Sequence, residues 1–113
     1  MIVSQQQRRE LSRGYFYTKL HDFLSARARR EDLKRALKDR PAVFRVWDTL
    51  YSEMGTRPEY RAAVLLTYAL CRQVEGQEHV EAVQELLAQS EPEYTAKCYF
   101  EDLGFLRFSE FDL

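Results

Sequence analysis

Cysteine is scarce in this chain. Cys71 and Cys98 are its only two among 113 residues, with no CxxC pair and no nearby His–Cys pair. That spacing gives no support to zinc ribbons, zinc fingers or thioredoxin-like chemistry, and both thiols read as small buried hydrophobes of a reducing compartment. Histidine is equally rare. His21 and His79 belong to no HExxH or other ligand pattern, so each is expected to be structural and no metal is expected. The phosphate-cradling GxxxxGK[ST], the dinucleotide GxGxxG and the nucleophile elbow GxSxG are all missing. No catalytic residue and no small-molecule cofactor is therefore expected.

Long apolar runs are also lacking. The longest, Ala62 to Cys71, is interrupted by Thr67 and Tyr68 and is about half the roughly 20 residues that span a bilayer. The start, Met1 to Arg9, has no apolar stretch of the kind a secretion signal carries. The expectation is a cytoplasmic protein that does not engage membrane.

With only four Gly and three Pro, 45% hydrophobic and 31% charged residues, the chain suits one helix-rich globular domain. No interior segment alternates with period two, and caps and glycines divide the chain into amphipathic segments. The fold class read from this is all-α: a compact bundle of five to six helices over residues 1–104. A short aromatic, acidic tail, 105–113, either packs on the bundle or serves as a contact segment.

The first helix is expected from Ser4 to Ala28, with Leu11, Phe16, Leu20, Phe23 and Leu24 inward and a weak point at Gly14. A short helix from Glu31 to Asp39 follows, acids first and bases later, as the helix dipole prefers. The third runs from Pro41 to Gly55 on Val43, Val46, Trp47, Leu50 and Met54. Thr56-Arg57-Pro58-Glu59 reads as a capping box that starts a central helix ending at Val74 before Gly76. Val80, Val83, Leu86 and Leu87 mark the fifth. Ser90-Glu91-Pro92-Glu93 repeats the capping box for a sixth, with Ala96, Tyr99, Phe100 and Leu103 inward and Gly104 as its stop.

Pro58-Glu59-Tyr60-Arg61-Ala62 and Pro92-Glu93-Tyr94-Thr95-Ala96 share P-E-Y-x-A at a separation of 34 residues, the period of a tetratricopeptide repeat. The remaining repeat positions do not follow: Val64, Thr67, Tyr68 and Cys71 stand where its Trp, Leu, Gly and Tyr belong. Two similarly capped helices in a plain bundle is the reading.

Two features point toward function. The first is charge sorted along the chain. Residues 1–56 hold twelve Lys/Arg against seven Asp/Glu, residues 57–113 five against eleven, which can give one domain a basic and an acidic side. The basic residues concentrate in Arg27, Arg29, Arg30, Lys34, Arg35 and Lys38, with Arg40 close by and Arg9 and Arg13 extending the patch. Guanidinium forks suit carboxylate and phosphate alike. The second is an aromatic surplus of seven Tyr, seven Phe and one Trp; Tyr15, Tyr17, Phe44, Tyr51, Phe105, Phe108 and Phe111 are expected off or at the edge of the inner faces, where rings anchor interfaces, with Tyr17, Phe44, Tyr51, Phe108 and Phe111 as the contact set.

Glu78, Glu81 and Glu85 read as a solvated stripe, and Glu93, Lys97 and Glu101 as a helix-supporting ladder. The functional expectation is a non-catalytic protein-interaction module or small subunit of a larger assembly, which binds a protein partner or a copy of itself through the Arg-rich face and peripheral aromatics. The alternative is an RNA- or DNA-binding accessory subunit that contacts backbone phosphates without strong sequence preference.

Overall fold

The computed structural model describes the backbone of residues 5–54 and 58–111 and the side chains of 13–52 and 58–111. Among these it is all-α: α1 Gln5–Arg27, α2 Glu31–Leu37, α3 Arg40–Asp48, α4 Tyr51–Met54, α5 Glu59–Val74, α6 His79–Leu87 and α7 Pro92–Asp102, closed by a 3-10 turn, Phe108–Phe111. The side chains of Arg9, Leu11 and Met54, and Thr56 and Arg57 of the first expected capping box, lie outside the described residues.

α5 is central, as its apolar circumference predicts. Val64, Leu65, Leu66, Ala69 and Cys71 are fully buried, and α2, α3, α6 and α7 all pack against it. Of the three expected glycine stops, Gly55 lies outside the described residues, and those at Gly76 and Gly104 form. Gly76 and Gly104 take left-handed φ of 85° and 73°, which a Cβ disfavours. Each lets two later N–H groups turn back: Gly76 N–H to Gln73 O and Gln77 N–H to Arg72 O, then Gly104 N–H to Glu101 O and Phe105 N–H to Phe100 O.

α1 runs as one helix through its weak point at Gly14. Three local expectations are corrected. The second helix stops at Leu37, because Asp39 is taken as the cap of α3, its carboxylate accepting from Ala42 N–H at 3.3 Å. The long third helix is split at Thr49 and Leu50: Thr49 Oγ1 donates to Val46 O at 2.6 Å, and Leu50 N–H bonds back only three residues, to Trp47 O. The box at Ser90 does not form. Glu91 occupies the cap position without a side-chain hydrogen bond, and Glu93 instead pairs with Arg61 of α5 at 3.6 Å.

The aromatic surplus turns out to be mostly internal. Tyr17 is 3% exposed and touches the rings of Phe44, Trp47 and Tyr51; its hydroxyl donates to Asp48 Oδ1 at 3.0 Å. Burial, then that bond, pushes its phenol well above the ordinary range. Phe111 is 5% exposed, between Phe23 and Phe100, and Phe105 and Leu106 are buried with it. Phe105, Leu106 and Phe111 of the tail are thus core, while Arg107 and Ser109 are exposed, and Tyr17, Phe105 and Phe111 are not the peripheral rings expected. Lys97, read as the middle of a helix-supporting ladder, is buried with its ammonium over Tyr60 and Phe108.

Candidate functional site

The basic cluster begins at the joint between α1 and α2, where Arg29 N–H donates to Phe105 O at 3.0 Å and anchors the turn to the tail. Leu33 and Leu37 lock the inner side of α2 into the core. By helical spacing, Glu31, Lys34, Arg35 and Lys38 then share the outer side, and all four are exposed.

The cations divide into two sets. Arg30 is a strut. Its guanidinium holds both Asp32 oxygens, Glu75 Oε1 at 2.6 Å and Leu103 O at 3.2 Å, and lies 4.0 Å from the centre of the Phe105 ring. Arg27 meets Glu110 at 3.2 Å and covers Phe23. Arg13 meets Asp48 at 3.7 Å and covers Tyr51; Arg40 donates to Thr18 and covers Phe44. Lys34 is paired on the surface with Glu31 at 3.3 Å. By contrast Arg29, Arg35 and Lys38 are exposed, and their side chains have no ion-pair or hydrogen-bond partner among the described residues. The sequence-level charge sorting is therefore partly used inside the molecule: Arg27 and Arg30 reach Glu110 and Glu75 of the acidic half.

Arg30 also shapes one acid. Burial works against ionisation of Asp32, but the Arg30 hydrogen bonds and the Leu33 N–H outweigh it and hold the carboxyl below its ordinary range. A depressed carboxylate contributes stability that is complete above the unfolded value, near 3.9, and lost as pH falls through the lower folded value. Arg30→Ala is expected to lower stability by roughly 2 kcal/mol at neutral pH, a Tm drop on the order of 10 °C. The gap to the parent should narrow below about pH 4, as thermal melts followed by circular dichroism at several pH values would show.

Of the expected aromatic contacts, Phe44, Tyr51 and Phe108 are half-buried. Each already carries a cation on its face, from Arg40, Arg13 and Lys97. A surface the sequence reading missed lies on the other side of α1. Tyr15, Phe16, Phe23, Tyr60 and Phe111 line an apolar groove of about 380 Å³, with Lys19, Glu59 and Glu110 at its rim. Its signal was legible as a second stripe of α1, Tyr15, Lys19 and Phe23 at i, i+4 and i+8. The sequence reading placed Phe16 and Phe23 on the inward face with Leu20 and Leu24, and so did not separate the groove from the core.

The histidines join helices. His21 Nε2–H donates to Leu37 O at 2.7 Å, between α1 and the end of α2. His79 Nε2–H donates to Thr49 Oγ1 at 2.7 Å, since the Thr49 proton is already given to Val46 O. Glu78 caps α6 by accepting from Val80 and Glu81 N–H, and those bonds draw its carboxyl below the ordinary range. Among the described residues no group of three or more His, Cys, Asp or Glu is placed to hold a metal ion, and no helix is long and apolar enough to cross a membrane. Both cysteines are free; burial pushes the Cys71 thiol well up, and Cys98 is half-buried. Comparisons with protein-family models, with curated proteins and with solved structures return no match to this chain.

Proposed function

We propose that this chain is a non-catalytic interaction module whose binding face is the outer side of α2 with the preceding joint, and whose partner is a protein presenting clustered carboxylates. The single observation that carries this reading is the set of cations left over once the internal struts are removed. Arg29 in the joint, Arg35 in α2 and Lys38 just after it stand exposed, their side chains without ion-pair or hydrogen-bond partners among the described residues, around a short helix whose opposite side is fixed in the core. Exposed cations held on a rigid element are suited to steering and orienting an acidic partner, since little ordering is needed on binding. The two free thiols are in keeping with a reducing, cytoplasmic setting.

Nucleic acid is the weaker reading. Arg13, Arg27, Arg30 and Lys34 already have carboxylate partners, so about three phosphates are within the capacity of the open set. The expected log–log salt slope for such binding is only about −2 to −3.

The test replaces Arg29, Arg35 and Lys38 with Ser and leaves Arg30 in place. Titration with a poly-glutamate peptide and with labelled RNA and DNA, at low and high salt, separates the readings. The parent should bind the peptide, and the triple variant should lose about tenfold or more in affinity at unchanged Tm. Equal peptide binding by both proteins contradicts the proposal, and tight RNA or DNA binding with none to the peptide replaces it with the nucleic-acid reading.

A further inference from the structure

The groove between α1, the start of α5 and the closing turn differs in chemistry from the α2 face, because its rim carries both signs. Glu110 is engaged by Arg27. Lys19 of α1 lies over the Tyr15 ring at 4.9 Å, and Glu59, the first residue of α5, lines the same groove from a different helix. Neither Lys19 nor Glu59 has an ion-pair partner among the described residues. Tyr15, at 65% exposed, is the most exposed large apolar side chain among the described residues, and it stands on the α1 rim beside an apolar floor.

We propose that this groove is the interface for a second copy of the chain, related by a two-fold axis. A two-fold interface must be self-complementary: each contact of one surface element with another is repeated in reverse. A rim with one open cation and one open anion across an aromatic floor meets that condition, with Lys19 of each copy opposite Glu59 of the other. A uniformly acidic or basic partner matches only half of it. The Tyr15 ring of each copy is the apolar group that fills the other's groove, in line with the role of tyrosine as an anchor with one wet end. The formal net charge of −1 leaves little long-range repulsion between copies. The groove is modest in size, about 380 Å³, so the dimer is expected to be weak and its population to depend on concentration.

Sedimentation velocity over a wide concentration range tests this with charge reversal. The parent is expected to move from monomer to dimer. Lys19→Glu and Glu59→Lys should each weaken association by about tenfold or more, the double reversal should restore it, and Tyr15→Ser should abolish it. A parent that stays monomeric at the highest concentration, a dimer that survives Tyr15→Ser, or a double reversal no better than its single members overturns the proposal. Circular dichroism melts establish that each variant is folded. None of these residues belongs to the α2 face, so poly-glutamate binding by the same variants reports separately on the function proposed above.

Discussion

Truncation after Gly104 is expected to abolish cooperative unfolding. The segment removed includes Phe105, Leu106 and Phe111, whose exposures are 0%, 1% and 5%. Burial of side chains of this size contributes about 1.5–3 kcal/mol each, so their joint loss is roughly 5–9 kcal/mol. That is comparable to the whole stability of a typical domain, about 5–15 kcal/mol. The truncation also deletes the carbonyl that accepts Arg29 N–H, the carboxylate paired with Arg27 and the ring beneath Arg30. The joint before α2 would thus lose its anchorage together with the core. Far-ultraviolet circular dichroism should show helix content that decays gradually with temperature, and urea titration should show no sigmoidal transition. A truncated chain that melts as sharply as the parent would mean that residues 105–111 lie on the bundle without contributing to it.

Trp47→Ala should have the next largest effect. Trp47 is fully buried, stacks on Phe44 and contacts Tyr17, while its indole Nε1–H donates to Leu66 O in α5 at 3.0 Å. The residue thus fastens α1 and α3 to the central helix. Large-to-small replacement of such a side chain costs about 3–5 kcal/mol through lost burial and the cavity left behind. Trp47→Phe retains most of the ring but not the donor, and should cost about 1 kcal/mol. Urea denaturation followed at 222 nm measures both changes without relying on the single Trp as a probe. If the Ala variant lost under about 1 kcal/mol, the aromatic cluster around Trp47 would not be the fastening described.

The parts of the fold that were legible in the sequence are those fixed by local chemistry. The Val43–Val46–Trp47 spacing, the all-round apolar character of α5 and the glycines at 76 and 104 required no knowledge of neighbours, and all appear as read. What was not legible depended on partners distant in the chain. The break at Thr49 involves a bond to His79, thirty residues away. Tyr17 and Phe111 looked peripheral because they lie off the main apolar stripes of their own segments. They are buried by Phe44, Trp47, Phe23 and Phe100, which come from other elements.

The same limit governed the candidate site. Arg29 and Arg30 are adjacent and chemically identical, and the nearby Asp32 does not by itself tell which of them it will hold. Arg30 becomes a strut because the fold brings up Glu75 and, 73 residues away, the carbonyl of Leu103, whereas Arg29 receives only a backbone partner. A run of basic residues counted from sequence thus overstates the charge available to a ligand, since struts and open side chains look alike until the acids of the other half are in place.

The central claim, that the cluster is divided between structural and available cations, is tested most directly by comparing two variants side by side. For Arg30→Ala and for the Arg29/Arg35/Lys38→Ser triple variant, Tm and poly-glutamate affinity are measured in the same buffer. The account predicts a crossed result: Arg30→Ala melts markedly earlier yet binds like the parent while folded, and the triple variant melts like the parent yet binds poorly. A parallel result, in which both variants lose stability together or lose binding together, would contradict the division.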